Sequence, residues 1–192
     1  MANYKHGVYA SEQPTTMSAP VAGTAGLQVV IGTAPVNMLK DPASAVNAPK
    51  LVTTYAEAVA AMGYSPDFKN FTICESISAS FQVMGVAPMV LINVLDPAKH
   101  KKALAETEVQ INSGVAVLEV QGVLLDGLVV KAGDTALTAG EDFTTAWNSD
   151  GTLNIVVIPG GNAAKATALT VSGNQLDPSM VTEAEIVGSV DV

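Results

Sequence analysis

Two apolar runs constrain this chain more than any other feature: residues 27–32 (LQVVIG) and residues 89–95 (MVLINVL). Each is bounded by turn residues and is too short to be a helix of its own, so each reads as a strand. The second run is nearly continuous, the pattern of a strand covered on both faces. Between them lie two helix signatures. Thr54-x-x-Glu57 and Thr72-x-x-Glu75 both match the capping box, in which the hydroxyl accepts from an orphan amide and the carboxylate reaches back. The first helix then carries Tyr55, Val59 and Met62 on one face and stops at Gly63; the second carries Ile73, Ile77, Phe81 and Met84 and stops at Gly85. Strand, two helices, strand describes a right-handed parallel crossover. Two strands do not make a stable sheet, so this β-α-α-β unit is expected to be incomplete.

What flanks the unit is different in kind. Residues 4–26 have isolated apolar side chains punctuated by Gly7, Pro14, Pro20, Gly23 and Gly26, with no periodicity that could build a core element. They read as an extended arm leading into the first strand. Residues 96–102 (DPAKHKK) read as a polar hinge. Beyond it come short β runs at 115–120, 128–131, 143–147, 153–158 and 166–171, with Asn148-Ser149-Asp150-Gly151 as a hairpin signal. That spacing points to a small sandwich or barrel without helices. Asp177-Pro178 marks an exit turn, and Thr182-x-x-Glu185 is a third possible capping box. The expected layout is therefore α+β: an extended N-terminal arm over 1–26, a partial α/β domain over 27–102, an inserted all-β sandwich or barrel-like domain over 103–182, and a return segment over 183–192.

Charge narrows the partners. Residues 1–102 hold seven lysines against six acids, residues 103–192 hold two lysines against twelve acids, and arginine is absent. Nucleic-acid binding needs clustered cations, usually with arginine among them, so nucleic acid is not an expected partner. No apolar run approaches the ~20 residues of a membrane span, and the N-terminus lacks the charged and apolar regions of a signal peptide. The single cysteine, Cys74, forms no internal disulfide and fits a reducing compartment. With only 14% charged residues against 48% hydrophobic ones, much of the surface is expected to be covered by other subunits.

No catalytic constellation emerges. His6 and His100 lack neighbours at metal-ligand spacing, so each reads as a solvated or packing residue. Cys74 has no base nearby in sequence and reads as a buried core thiol. Glu57 and Glu75 are explained as capping residues rather than as an acid–base pair. Gly23-x-x-Gly26 precedes a strand instead of following one, so it is a turn and not a phosphate loop. Pro159-Gly160-Gly161-Asn162 is a hairpin or loop tip, and the scattered acids of the β region form a solvated face rather than a calcium site. No catalytic residue, metal, cofactor or small-molecule substrate is expected.

Three pieces in order, His6-Gly7-Val8-Tyr9, Gly23 to Gly26 and Val30-Ile31-Gly32-Thr33-Ala34-Pro35, resemble the N-terminus of contractile phage tail sheath proteins. The β region resembles the insertion of prophage and bacteriocin-particle sheaths at Leu128-Val129-Val130-Lys131, Gly140-Glu141-Asp142-Phe143-Thr144 and Asp150-Gly151-Thr152-Leu153. The stretch from Asp177 to Gly188 resembles the segment leading back into the main body. The resemblance implies a non-enzymatic structural subunit of a virion tail, assembled in the bacterial host cytoplasm. In that family such subunits self-assemble into a helical tube around an inner tail tube protein, and arms add strands to neighbouring subunits. The arm residues Tyr4, His6, Gly7, Val8 and Tyr9 would then lie between subunits. A large C-terminal domain of that family, with the receiving sheet, is not contained in these residues. A competing reading is a surface or fibre module whose acidic β domain binds glycan or protein, with Phe143 and Trp147 as its only aromatic candidates; both read better as core.

Overall fold

The computed structural model describes residues 26–188. The arm residues Tyr4, His6, Gly7, Val8 and Tyr9 lie outside that range. The described chain is a mixed α+β fold built on two sheets, with few helices.

The first sheet has three strands rather than two. β1 (Gln28–Gly32) pairs in parallel with β3 (Met89–Asn93), as the apolar runs imply, in the register Val29 to Val90 and Ile31 to Ile92. On the other side of β3 lies β2 (Lys50–Val52), antiparallel, with Leu51 opposite Val90. Three residues give too short a pattern to stand out from the Pro- and Ala-rich loop around them, which explains why β2 escapes a sequence reading. Helix α1 (Tyr55–Met62) and helix α2 (Thr72–Ile77), continued by a π-helical stretch over Ser78–Met84, cover one face of this sheet. Val30, Val52, Met89 and Leu91 from the strands meet Ala58, Met62, Ile73 and Ile77 from the helices there.

The capping predictions divide. At α1, Thr54 accepts from the Glu57 amide at 3.2 Å, while the Glu57 carboxylate reaches the amide and hydroxyl of Thr53, one residue earlier than expected. At α2 the N-cap is Phe71, and Thr72 lies inside the first turn. Its hydroxyl instead accepts from the Thr33 amide at 3.1 Å, so it ties the helix to the turn after β1, and Glu75 caps nothing. The expected stripe keeps Ile73, Ile77 and Phe81 on the core and loses only its last member. Beyond Ile77 the wider π turn carries Met84 off the core face, leaving it exposed, while Ser80 turns inward to Gln28.

The second sheet has seven strands, ordered β7-β6-β10-β4-β5-β9-β8, all antiparallel: β4 (Lys101–Asn112), β5 (Val115–Leu118), β6 (Val123–Ala132), β7 (Thr135–Ala136), β8 (Phe143–Trp147), β9 (Leu153–Val157) and β10 (Ala168–Leu176). Leu104, Val109, Val130, Leu169 and Val171 from one half share a core with Leu118, Phe143, Leu153 and Ile155 from the other, so the sheet curls over itself. Long β4 pairs with β10 along most of its length and with β5 at its far end, joining the halves. The predicted β8–β9 hairpin forms at Asn148 to Gly151, where Gly151 has φ 87°. The loop through Gly160 and Gly161 crosses between halves instead of closing a hairpin, since β9 and β10 are not neighbours.

The stretch expected as a hinge, 96–102, is a tied turn that runs straight into β4. Its fixing residue is His100, 5% exposed. Nδ1 accepts from the Asp96 amide at 2.9 Å, which leaves the ring proton on Nε2 to be donated to Glu185 at 3.1 Å. The His100 carbonyl accepts from the Asp177 amide at 2.8 Å, and Lys102 lies 3.6 Å from the Asp177 carboxylate. Entry to and exit from the seven-stranded sheet are thus clasped together. Glu185 belongs to α3 (Glu183–Val187), where its other oxygen closes the third capping box by accepting from the amide and hydroxyl of Thr182.

Candidate assembly surface

A sheet with helices on one face only leaves its other face to be accounted for. Because side chains alternate along a strand, the residues not used by the helix-side core point the other way. In the observed register Val29, Val90 and Leu51 form one row across β1, β3 and β2, Ile31 and Ile92 form a second, and Leu27 continues the line. Val90 and Ile92 are half-buried, whereas Leu27, Val29, Ile31 and Leu51 are 50%, 54%, 45% and 63% exposed. Six aliphatic side chains without one charge among them are a contiguous patch, not the scattered exposure ordinary on a surface. The expectation that the 89–95 strand is covered on both faces is thus met on one face of β3, where Met89, Leu91 and Asn93 are fully buried, and not on the other, where Val90 and Ile92 are half-buried.

Among the described residues β1 and β2 each have one strand neighbour, which leaves one edge of each without a partner there. Beside β1, on the helix side, a groove of about 450 Å³ is lined by Gln28, Glu75, Ala79, Ser80, Met84 and Val86. An unpaired strand edge next to such a groove offers main-chain hydrogen bonds and side-chain space to an added strand.

Buried contacts tie the sheet to the turns beside it and to the curled sheet. Asn93, 0% exposed, accepts at Oδ1 from the amides of Ala34 (3.0 Å) and Leu95 (3.1 Å) and donates from Nδ2 to the Leu95 carbonyl (2.9 Å). Thr33 donates its hydroxyl proton to the Asn70 carbonyl at 2.7 Å. A shared apolar cluster joins Phe71 and Cys74 at the start of α2 and Leu95, just past β3, to Leu124 of β6 and Leu176 of β10. Asn37 Nδ2 donates to the Val123 carbonyl at 3.0 Å, and Ser65 reaches Gln121, which holds the β8–β9 hairpin through the Asp150 carbonyl.

Groups that could do chemistry are placed as structural ones. Cys74 is fully buried, and desolvation pushes its thiol up to about 11. Asp142, buried, is held below the ordinary carboxylate value by the amides of Thr138 and Asn162, and so joins two loops of the curled sheet. Phe143 is in the core and Trp147 packs against it, so neither forms an aromatic platform. A crevice of about 440 Å³ at the junction is lined by Asp41, Asp96, Asp126, Lys101 and Asn37, whose buried Oδ1 has no partner. Among the described residues no three His, Cys, Asp or Glu side chains group to hold a metal, and no helix is long and apolar enough to cross a membrane. The sequence reading missed the open face because exposure of β1 depends on where the helices pack, which periodicity does not reveal.

No family model matches the chain, and no solved structure does. Among curated proteins the chain is similar to the tail sheath protein of Burkholderia phage BcepMu, with 30% identity over 196 residues. The alignment takes in 99% of this chain and 38% of that protein. The resemblance to a phage tail sheath protein read from the sequence therefore extends over nearly all of these residues, and the chain spans well under half the length of its relative.

Proposed function

We propose that this chain is part of a structural subunit of a contractile phage tail, or of a tail-like particle, which self-assembles with copies of itself into a helical sheath around an inner tube protein. The observation that carries the reading is the end-to-end similarity to a protein named tail sheath protein. The geometry agrees with it. The buried polar groups at Asn93, His100 and Asp142 are used up in joining one part of the fold to another, while the three-stranded sheet shows an apolar face and two edges without a strand neighbour among the described residues. That distribution suits a building block, which needs faces and edges for other chains.

In this reading the arm bearing Tyr4, His6, Gly7, Val8 and Tyr9 adds a strand to a neighbouring subunit, with Val8 and Tyr9 as anchors and Pro14 and Pro20 keeping the linker extended. The arm, the two bodies over 27–102 and 103–182, and the return segment belong to one subunit, whose assembly in this reading needs no metal, cofactor or nucleic acid. The apolar cluster joining α2 to β6 and β10 and the clasp at His100 suit it to move as one block when a sheath shortens.

The test is negative-stain microscopy of the product of the complete reading frame, purified from a host lacking other phage genes. Striated hollow tubes are expected. A product that stays monomeric at high concentration, with or without tube protein present, would overturn the proposal.

A further inference from the structure

The open sheet face points to a layer that the described residues do not supply. We infer that the aliphatic patch of Leu27, Val29, Ile31, Leu51, Val90 and Ile92 is covered within the subunit, by amphipathic helix from the remainder of a sheath-length polypeptide, and is not a contact between subunits. This rests on the sheath reading for the existence of that remainder.

Three observations favour this occupant. The pairing of β1 with β3 is parallel, in a mixed sheet whose third strand, β2, is antiparallel, and parallel pairs are typical of α/β sheets that carry helices on both faces. Helices α1 and α2 supply that cover on one side alone. The relative supplies the material, since this chain spans 38% of its length. The composition of the patch fits a permanent cover. All six residues are aliphatic, none is aromatic and none is charged, whereas surfaces that form and re-form between folded subunits carry a polar rim and are enriched in Tyr, Trp and Arg. A subunit synthesised with this face bare would expose a strand-rich apolar surface during assembly, which invites aggregation.

The consequence is a division of labour. The face belongs to the fold of the subunit, and the strand edge of β1 with its groove at Ala79, Met84 and Val86 is left for contacts outside it.

Cysteine accessibility tests this. Val29→Cys and Leu51→Cys are introduced separately into the 192-residue chain and into the complete reading-frame product, each isolated as monomer by size. Cys74 is buried and stays silent in both, and Val129→Cys on the curled sheet, at a residue 42% exposed, serves as the reporter of general access. Labelling at positions 29 and 51 is expected to be fast in the 192-residue chain and slowed by about a hundredfold or more in the complete monomer, as protection by packed structure requires, with position 129 unchanged. Fast labelling in the complete monomer would overturn the inference, and protection arising only in the assembled polymer would assign the face to a second copy. Protection already present in the 192-residue chain, or a reading frame that ends at Val192, would overturn it too. Tubes together with an exposed face in the monomer would refute this inference and leave the sheath reading standing; a protected face without tubes would do the reverse.

Discussion

Asn93→Ala should be among the most damaging single substitutions in the described chain. The wild-type carboxamide satisfies three main-chain groups, the amides of Ala34 and Leu95 and the carbonyl of Leu95, and it is 0% exposed. Alanine removes all three bonds and supplies nothing in return. Each buried group left without a partner costs about 1–3 kcal/mol, with some recovered by relaxation or an entering water. A total of about 2–4 kcal/mol follows, and with an m-value of about 2 kcal/mol/M for a domain of this size the urea midpoint falls by about 1–2 M. Asn93→Asp keeps the shape and the acceptor, loses the donor to Leu95, and buries a charge with no cation beside it, so at neutral pH it costs at least as much. The assay is equilibrium urea unfolding followed by Trp147 fluorescence and by near-ultraviolet circular dichroism. If Asn93→Ala unfolds within about 0.5 kcal/mol of wild type, the range of an ordinary surface change, the reasoning that this residue locks the Thr33–Pro35 turn to the strand is wrong.

Other consequences are open to direct measurement. Gly63 has φ 75°, and a Cβ there would strike the Pro35 carbonyl oxygen, so Gly63→Ala should lower stability by about 1–3 kcal/mol in the same assay. Cys74, buried with its thiol pushed up to about 11, should resist thiol reagents at about pH 8 in the native state and react fully in urea. Five carboxylates sit below their ordinary values, each mainly through a hydrogen bond: Glu57 from the Thr53 amide, Asp142 from the Thr138 amide, Asp150 from the Thr152 hydroxyl, Asp177 from the Ser179 hydroxyl and Glu185 from the Thr182 amide. A carboxyl with a lowered folded pKa stabilises the fold above its unfolded value and loses that contribution as pH falls through the folded one. The urea midpoint should therefore drop on going from about pH 5 to about pH 3, and a midpoint that rises would contradict the assigned bonds.

How much of this was legible in the sequence depends on the range of the interaction. The runs at 27–32 and 89–95, the hairpin at Asn148 to Gly151 and the stops at Gly63 and Gly85 are local signals, and the structure has all of them. Thr54 caps α1 because the hydroxyl and the amide it serves lie three residues apart. Thr72 carries the same motif and fails, because Thr33, 39 residues away, offers its hydroxyl a better-placed amide. The hinge reading of 96–102 failed similarly. The polar composition is real, but His100 finds Glu185 across 85 residues, and such pairs have no sequence period. All of β4 (Lys101–Asn112) lay outside the expected β runs, since it opens on the exposed lysines of the supposed hinge and buries only Leu104 and Val109, and β2 was hidden by its brevity. Asn93 reads as a lapse in an apolar run and is in fact the hub of the turn beside it. The open face needed the register between three strands, which only the fold provides.

The central claim, that this chain belongs to the wall of a tail and not to a fibre or an enzyme, is tested most directly by immunogold labelling of particles from the host that carries it. Antibody raised against residues 101–176, the curled sheet, should decorate tails along their whole length at regular spacing. Gold confined to the tail tip or to fibres, or tails left bare beside labelled soluble protein, would contradict the account.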